Sequence, residues 1–245
     1  VGLVFKVVHA LIKRLRDEKN EEALKINLKD YLDLVAMGTV ADLVPLAGEN
    51  RILTHHGLRS LGQTRRCGLR ALLQVSGLAD GQLMGPADVS FKLGPRINAS
   101  GRVADASLPI EMILSKDLKV CESAARQLEA FNRERQEIEL TVYDEAKAQL
   151  EPFIKDAVGL LAYSENWHPG VVGIVAGRLS REFHRPTVIL GVDQGVARGS
   201  GRSVEGINMQ QVLPLCNDLL QEWGGHQMAV GIDLAARNAE AFRKK

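Results

Sequence analysis

The 245-residue chain reads as an α/β protein. It has a helical first half, one long connecting helix, and a small carboxy-terminal α/β domain with a mixed sheet. Three observations carry this reading. Apolar residues before residue 117 recur at helical spacing. Residues 117–150 contain neither Gly nor Pro. After Pro152, short apolar runs rich in Val and Ile alternate with helical stretches over roughly 90 residues, the pattern of a mixed sheet.

The elements follow in order. Leu3, Val4, Val7, Val8, Leu11, Ile12 and Leu15 form one stripe and predict a helix over residues 2–16, stopped by the polar run 17–20. The chain opens at Val1 directly into this stripe, so a fragment whose amino-terminal part is absent is expected. Residues 31–42 have helical or buried periodicity, and Pro45 then breaks regular structure. Helices are predicted near 49–61, 69–76 and 108–115, with Asp88 capping another. In 117–150, Cys121, Ala124, Leu128, Phe131, Ile138, Val142 and Ala146 recur at spacings of three, four and seven. At 1.5 Å per residue this helix is about 50 Å long, suited to a strut between two lobes. A coiled-coil dimer is the competing reading, and Arg135 at a seam position weighs against it. Beyond it, strands are predicted at 158–163, 187–192, 196–200 and 227–234, and helices at 171–183 and 209–223. Pro214 predicts a kink or a late start in the last helix.

Composition sets bounds. Hydrophobic content of 45% and charged content of 25% are ordinary for a globular protein. With aromatics at 4%, a nucleic-acid surface cannot rest on many stacking platforms. With a net charge of +1, any polyanion site must concentrate its charge locally. Cys67, Cys121 and Cys216 are far apart and make no CxxC pair or metal spacing, which favours a reducing setting over a disulfide scaffold. No signal peptide and no bilayer-length apolar run is evident.

Several polar clusters carry chemistry. Residues 93–102 set Arg96, Arg102 and the amide of Asn98 among small, turn-prone residues. Arginine's planar fork matches a phosphate, so this reads as a phosphate clamp. A surface turn with a capping Asn and two solvated arginines is the other reading. Asn166-Trp167-His168-Pro169-Gly170 precedes a helix, whose free N–H groups and dipole favour an anion. His168 and Trp167 are candidate substrate contacts there, although Trp167 taken alone fits a buried residue better. In Arg198-Gly199-Ser200-Gly201-Arg202-Ser203, Ser200 and Arg202 share a face if the segment is extended, and can address one phosphate. A solvated hairpin competes. Gly224-Gly225-His226 is expected to end a helix and present His226 at a sheet edge. Asp42, ending Gly38-Thr39-Val40-Ala41-Asp42, is a candidate ligand for a hard cation, with helix capping as the default. His55 and His56 lie in a helical pattern and read as surface residues.

Gly38-Thr39-Val40-Ala41-Asp42-Leu43-Val44-Pro45-Leu46, the 93–102 segment, Trp167-His168-Pro169-Gly170-Val171-Val172-Gly173, Gly199-Ser200-Gly201-Arg202-Ser203 and Gly224-Gly225-His226 occur in an order that resembles the RecJ family. These are single-strand-specific 5′→3′ exonucleases of the DHH phosphoesterase superfamily. The resemblance implies the carboxy-terminal part of a DHH domain at 1–116, a connecting helix at 117–152 and a DHHA1 domain at 153–245. It implies Asp42 as metal ligand and catalytic residue, Arg96 or Arg102 with Asn98 as a clamp at the domain interface, and Ser200 and Arg202 on the 5′-terminal phosphate. His226, after Gly224 and Gly225, would face the substrate backbone as a catalytic residue. The implied cofactor is Mn²⁺ or Mg²⁺, and metal-activated water would release 5′-mononucleotides in DNA repair and recombination. Single-stranded DNA with a 5′ phosphate and other DNA-repair proteins are the implied partners of a cytoplasmic monomer with no membrane association.

The departures limit this. The family's DxD-type segment and Asp-His-His triplet are missing, and His55-His56 lacks the preceding Asp and follows the Asp42 motif. The OB-fold expected of a full-length member is absent too. The chain as given is therefore expected not to hydrolyse DNA. Two other readings remain: a DHH–DHHA1 phosphodiesterase on short oligonucleotides or cyclic dinucleotides, and a non-catalytic nucleic-acid-binding module.

Overall fold

The computed structural model describes residues 1–245. The chain divides into two compact units, Val1–Arg133 and Glu134–Lys245.

The first unit is helical: α1 (Gly2–Asp17), α2 (Glu21–Lys25), α3 (Leu32–Ala41), α4 (Gly48–Gly62), α5 (Cys67–Val75), α6 (Pro86–Asp88), α7 (Gly94–Val103), α8 (Ser107–Leu114) and the start of α9 (Leu118–Leu150). Helix α3 is apolar on nearly every side because it is the centre of this unit; Val35, Ala36, Met37 and Val40 are all buried. It packs on α4, where Gly57 faces the Leu32 carbonyl. A Cβ on Gly57 would sit 2.2 Å from that oxygen, so the helices can approach only because the side chain is missing. Asp33, also buried, needs partners in so dry a place. Thr64 Oγ1 donates to it at 2.8 Å, and Arg66 Nε lies 3.3 Å away. The stripe on α1 is largely exposed, with only Ile12 of that helix buried.

The second unit holds the rest of α9 and a five-stranded sheet in the order β1-β2-β3-β5-β4. Its strands are β1 (Leu160–Ser164), β2 (Thr187–Asp193), β3 (Val196–Arg202), β4 (Leu220–His226) and β5 (Ala229–Ala235). β1 and β2 are parallel and joined through α10 (Pro169–Phe183); the other pairs are antiparallel. One face carries Val188, Leu190, Val192, Ile232 and Leu234, covered by Met209 of α11 (Met209–Val212), Leu213, and Ala239 of α12 (Ala239–Lys244). The other face packs Ile189 under α10 and the end of α9, through Val142, Ala146 and Leu150.

One element differs from expectation. Residues 209–223 are not one helix: α11 gives way to a 3₁₀ turn, Leu213–Cys216, and then to strand β4. Pro214 removes a donor and ends the helix. A β-bulge between Leu220 and Glu222 then turns both Leu220 and Trp223 toward the same core, mimicking helical spacing on a strand.

Two outcomes follow from this packing. Gly57→Ala puts a better helix former into α4, yet the contact with Leu32 should make it destabilising by about 1–3 kcal/mol in urea denaturation. Between α9 and α10, Glu182 accepts from Lys147 at 2.5 Å and from the Tyr143 hydroxyl. The bond from Lys147, followed by that from Tyr143, holds its carboxyl below the usual carboxylate range. A depressed folded pKa contributes stability above the unfolded pKa and loses it as pH falls through the folded one. Glu182→Gln should therefore cost up to about 1 kcal/mol near neutral pH, the pair being a third exposed, and the gap to the parent should close below about pH 4 in thermal melts.

Candidate nucleic-acid interface

Strand pairing decides which side chains of the second unit meet. Arg202 lies opposite Ala229, and Ala229 opposite His226. One row along, Ser200, Gly231 and Gly224 are aligned; the next row is Arg198, Asp233 and Glu222. Residues directly opposite on a sheet point to the same side, as do alternate residues along a strand. All nine therefore share the face on which α10 lies over β2 and β3. The middle row is nearly without side chains. Gly224 and Gly231 are exposed, and a Cβ on Gly224 would meet nothing within 4 Å. The result is a backbone-floored strip. The Arg198–Asp233 ion pair, at 2.7 Å, stands along one side. Arg202 and His226, about 10 Å apart across two strand spacings, stand along the other.

Ser200 and Arg202 are held together as the alternation predicts. Arg202 Nη1 donates to Ser200 Oγ and, at 2.9 Å, to the Gly201 carbonyl. Ser200 Oγ donates to the Val230 carbonyl at 3.0 Å. The guanidinium rests against α10: a Cβ on Gly173 would lie 3.2 Å from Arg202 Nη2 and 3.4 Å from Ser200 Oγ. A side chain there would push the arginine off the first turns of the helix. At the helix start, His168 is the exposed N-cap, and its Nδ1 accepts from the Gly170 amide at 3.1 Å. An accepting Nδ1 leaves Nε2 to carry the proton of the neutral ring, a donor beside the positive end of α10.

Other expected site residues are placed differently. Trp167 is 4% exposed, and its indole N–H donates to Glu145 at 2.7 Å. Packed in the core under α10, it offers no face to a base. Gly224 and Gly225 do not end a helix; both lie in β4, and His226 closes that exposed strand. Gly225 has φ 141, and a Cβ there would sit 2.3 Å from the Ala229 carbonyl, so glycine is required by both conformation and space.

The 93–102 segment is not a turn. It forms α7, entered from the wider π-helical stretch Val89–Leu93. Gly94 lets it seat against Ala41, beside Asp42. Arg96 faces inward, 15% exposed; its Nε binds Glu129 at 2.6 Å, and Nη1 donates to the Lys92 carbonyl at 2.7 Å. It serves as a structural ion pair, not as a clamp. Asn98 and Arg102 are exposed and one turn apart on the outer side of α7, lining a cleft of about 600 Å³ with Gly101 and Ile110.

Asp42 is exposed as the C-cap of α3. The chain closes the helix end behind it, with Val44 N–H on the Thr39 carbonyl at 3.2 Å and Leu43 at φ 54. A carboxylate at the negative end of a helix, with no basic residue in the last turn, is electrostatically misplaced unless a cation offsets it. No group of three or more His, Cys, Asp or Glu converges around it or elsewhere in the chain, so these donors alone do not fit a bound Mn²⁺ or Mg²⁺. His55 and His56 are exposed on α4, as expected of surface residues. The row Arg198–Asp233–Glu222 and the floor residue Gly231 were not singled out by sequence, although the alternation of Val230, Ile232 and Leu234 marks Gly231 and Asp233.

Comparison with known proteins agrees with this description. Residues 156–245 match the DHHA1 domain model. The single-stranded-DNA-specific exonuclease RecJ of Bacillus subtilis (strain 168) is 39% identical over 100% of this chain and 30% of that protein. RecJ of Escherichia coli (strain K12) is 38% identical over 100% of this chain and 44% of its own length. The chain thus spans less than half of these curated relatives. The crystal structure of RecJ in complex with Mg²⁺ from Thermus thermophilus superposes with a TM-score of 0.79 at 32% identity, covering 91% of this chain and 35% of that one. A structure of exonuclease RecJ bound to manganese gives 0.77 at 31% identity, over 91% and 55%. By sequence over its whole length and by fold over nine-tenths of it, the chain is similar to RecJ proteins, and residues 156–245 match the DHHA1 domain.

Proposed function

We propose that this chain works within a metal-dependent, single-stranded-DNA-specific 5′→3′ exonuclease of DNA repair and recombination, and that its own part is to hold the strand end. In this reading residues 1–116 belong to a DHH domain, 117–152 to the connecting helix and 153–245 to the DHHA1 domain. The enzyme is a cytoplasmic monomer that meets other repair proteins; no helix of the chain is long and apolar enough to cross a membrane.

The observation that carries the reading is the backbone-floored strip beside Ser200, Arg202 and the start of α10. A terminal phosphate is taken by the Arg202 guanidinium and the Ser200 hydroxyl, which are already aligned on each other, with His168 Nε2–H and the positive helix end nearby. The next stretch of backbone passes over Gly231 and Gly224, where no side chain stands in its way. His226 donates to it from the far edge. Asn98 and Arg102 on α7 make further phosphate contacts. Asp42 would supply one ligand to a Mn²⁺ or Mg²⁺ ion, whose chemistry would be the activation of water, with the remaining ligands coming from outside this chain's own donors. Because the chain's own donors do not complete that centre, its contribution is binding.

Salt-dependent binding of single strands with and without a 5′ phosphate tests this. Arg202→Ala should weaken binding of the phosphorylated strand by about tenfold, erase the preference for it, and flatten the salt slope by about 0.7. Arg96→Ala should leave the slope unchanged and instead lower the melting temperature. An Arg202→Ala variant that keeps the full 5′-phosphate preference would refute the assignment. Incubated with 5′-phosphorylated single-stranded DNA and Mn²⁺, the chain should release no mononucleotides. Sustained release abolished by Asp42→Ala would overturn the binding-only role.

A further inference from the structure

Cys67 and Cys121, 54 residues apart in sequence, have their sulfur atoms 2.6 Å from each other. Local packing brings them there. Cys67 opens α5, and the next residue is Gly68, where a Cβ would lie 2.1 Å from the Met112 carbonyl. The missing side chain lets the first turn of α5 press onto the end of α8. The chain then turns through Ser115, and Asp117 receives the Lys119 amide at 2.8 Å to start α9. Cys121, in the first turns of α9, consequently faces Cys67. The thiols also share a carbonyl acceptor: Cys67 Sγ donates to Ser115 O at 3.0 Å, and Cys121 Sγ lies 3.8 Å from the same oxygen and 3.6 Å from Met112 O.

The two thiols differ in access. Cys121 is fully buried, and burial, followed by the bond with Cys67, pushes its pKa up to about 11. Cys67 is half-buried and lines a cleft of about 790 Å³ whose walls include Lys29, Arg65 and Lys116 as well as Asp30 and Asp33. Small oxidants can reach it there.

We propose that Cys67 and Cys121 are a thiol pair that a hydroperoxide closes to a disulfide, tying the start of α5 to the start of α9. Cys67 sulfur attacks one peroxide oxygen and the O–O bond breaks. Cys67 becomes a sulfenic acid, and the departing hydroxide takes the thiol proton to leave as water. Cys121 sulfur then attacks Cys67 sulfur, the S–O bond breaks, and the second hydroxide leaves as water with the Cys121 proton. Two thiols lose two protons and two electrons, and one hydrogen peroxide becomes two waters. The third thiol, Cys216, lies in the second unit, buried at the end of the 3₁₀ turn Leu213–Cys216, and takes no part.

The test is peroxide titration of the folded chain, alkylation, and peptide mapping by mass spectrometry without reduction. The expected product is a Cys67–Cys121 linked peptide, reversed by dithiothreitol, with Cys216 alkylated. In Cys121→Ser, Cys67 should stop at a sulfenic acid that dimedone traps; in Cys67→Ser, Cys121 should remain a thiol. The map of the unsubstituted chain needs neither variant to fold. Exposed Met228 serves as an internal dosimeter. If Met228 is oxidised while Cys67 and Cys121 are recovered as alkylated thiols, or if Cys67 is over-oxidised with no link, the proposal fails.

Discussion

The second unit is organised by a sheet with one fully covered face and one that is only partly covered. Helix α10 packs on β2 and β3, while β5 and β4 extend the sheet beyond them. Apolar side chains on that extension would meet water. The chain answers in three rows. An ion pair holds one row, glycine leaves the next bare, and an arginine and a histidine stand in the third. The opposite face answers the same problem with Val, Leu and Ile under α11 and α12. The polar strip and the apolar core are thus two sides of the same strands: Arg198 follows buried Ala197, and Gly231 and Asp233 alternate with buried Val230, Ile232 and Leu234.

The arginines show why partners matter more than residue type. Arg96 and Arg202 both sit in small-residue motifs, and sequence treats them alike. Arg96 closes onto Glu129, which also accepts from Arg133 at 2.9 Å, so it ties α7 to α9 within the first unit. Arg202 lies along α10 with its Nη1 on a hydroxyl and a carbonyl. Both hydrogen bonds orient the guanidinium without drawing it into a core. What makes Arg96 a structural arginine is a glutamate 33 residues distant, which no local pattern announces.

That contrast measures what was legible. The long helix was, because 33 residues without a breaker leave the chain little choice. Strand β2 was, as a short apolar run buried on both faces, and β3 was, where an extended segment gives Ser200 and Arg202 a shared face. The stretch 209–223 was misleading: Met209, Leu213, Cys216, Leu220 and Trp223 follow helical spacing, yet a proline and a bulge deliver the same inward pattern from three different conformations. Trp167 was open between two fates until the position of Glu145 decided it. The contact of Cys67 with Cys121 was invisible, since it depends on how α5, α8 and α9 meet.

The irregularities of β4 have another effect. β4 is an outer strand, and a flat outer strand presents unpaired N–H and C=O groups to any passing chain. Here the bulge near Leu220 and the φ of 141 at Gly225 bend both ends of that edge out of regular geometry, with exposed Gln221 and Glu222 between them. A second molecule cannot zip onto it in register. The distortions thereby guard this edge against self-association through growing sheets.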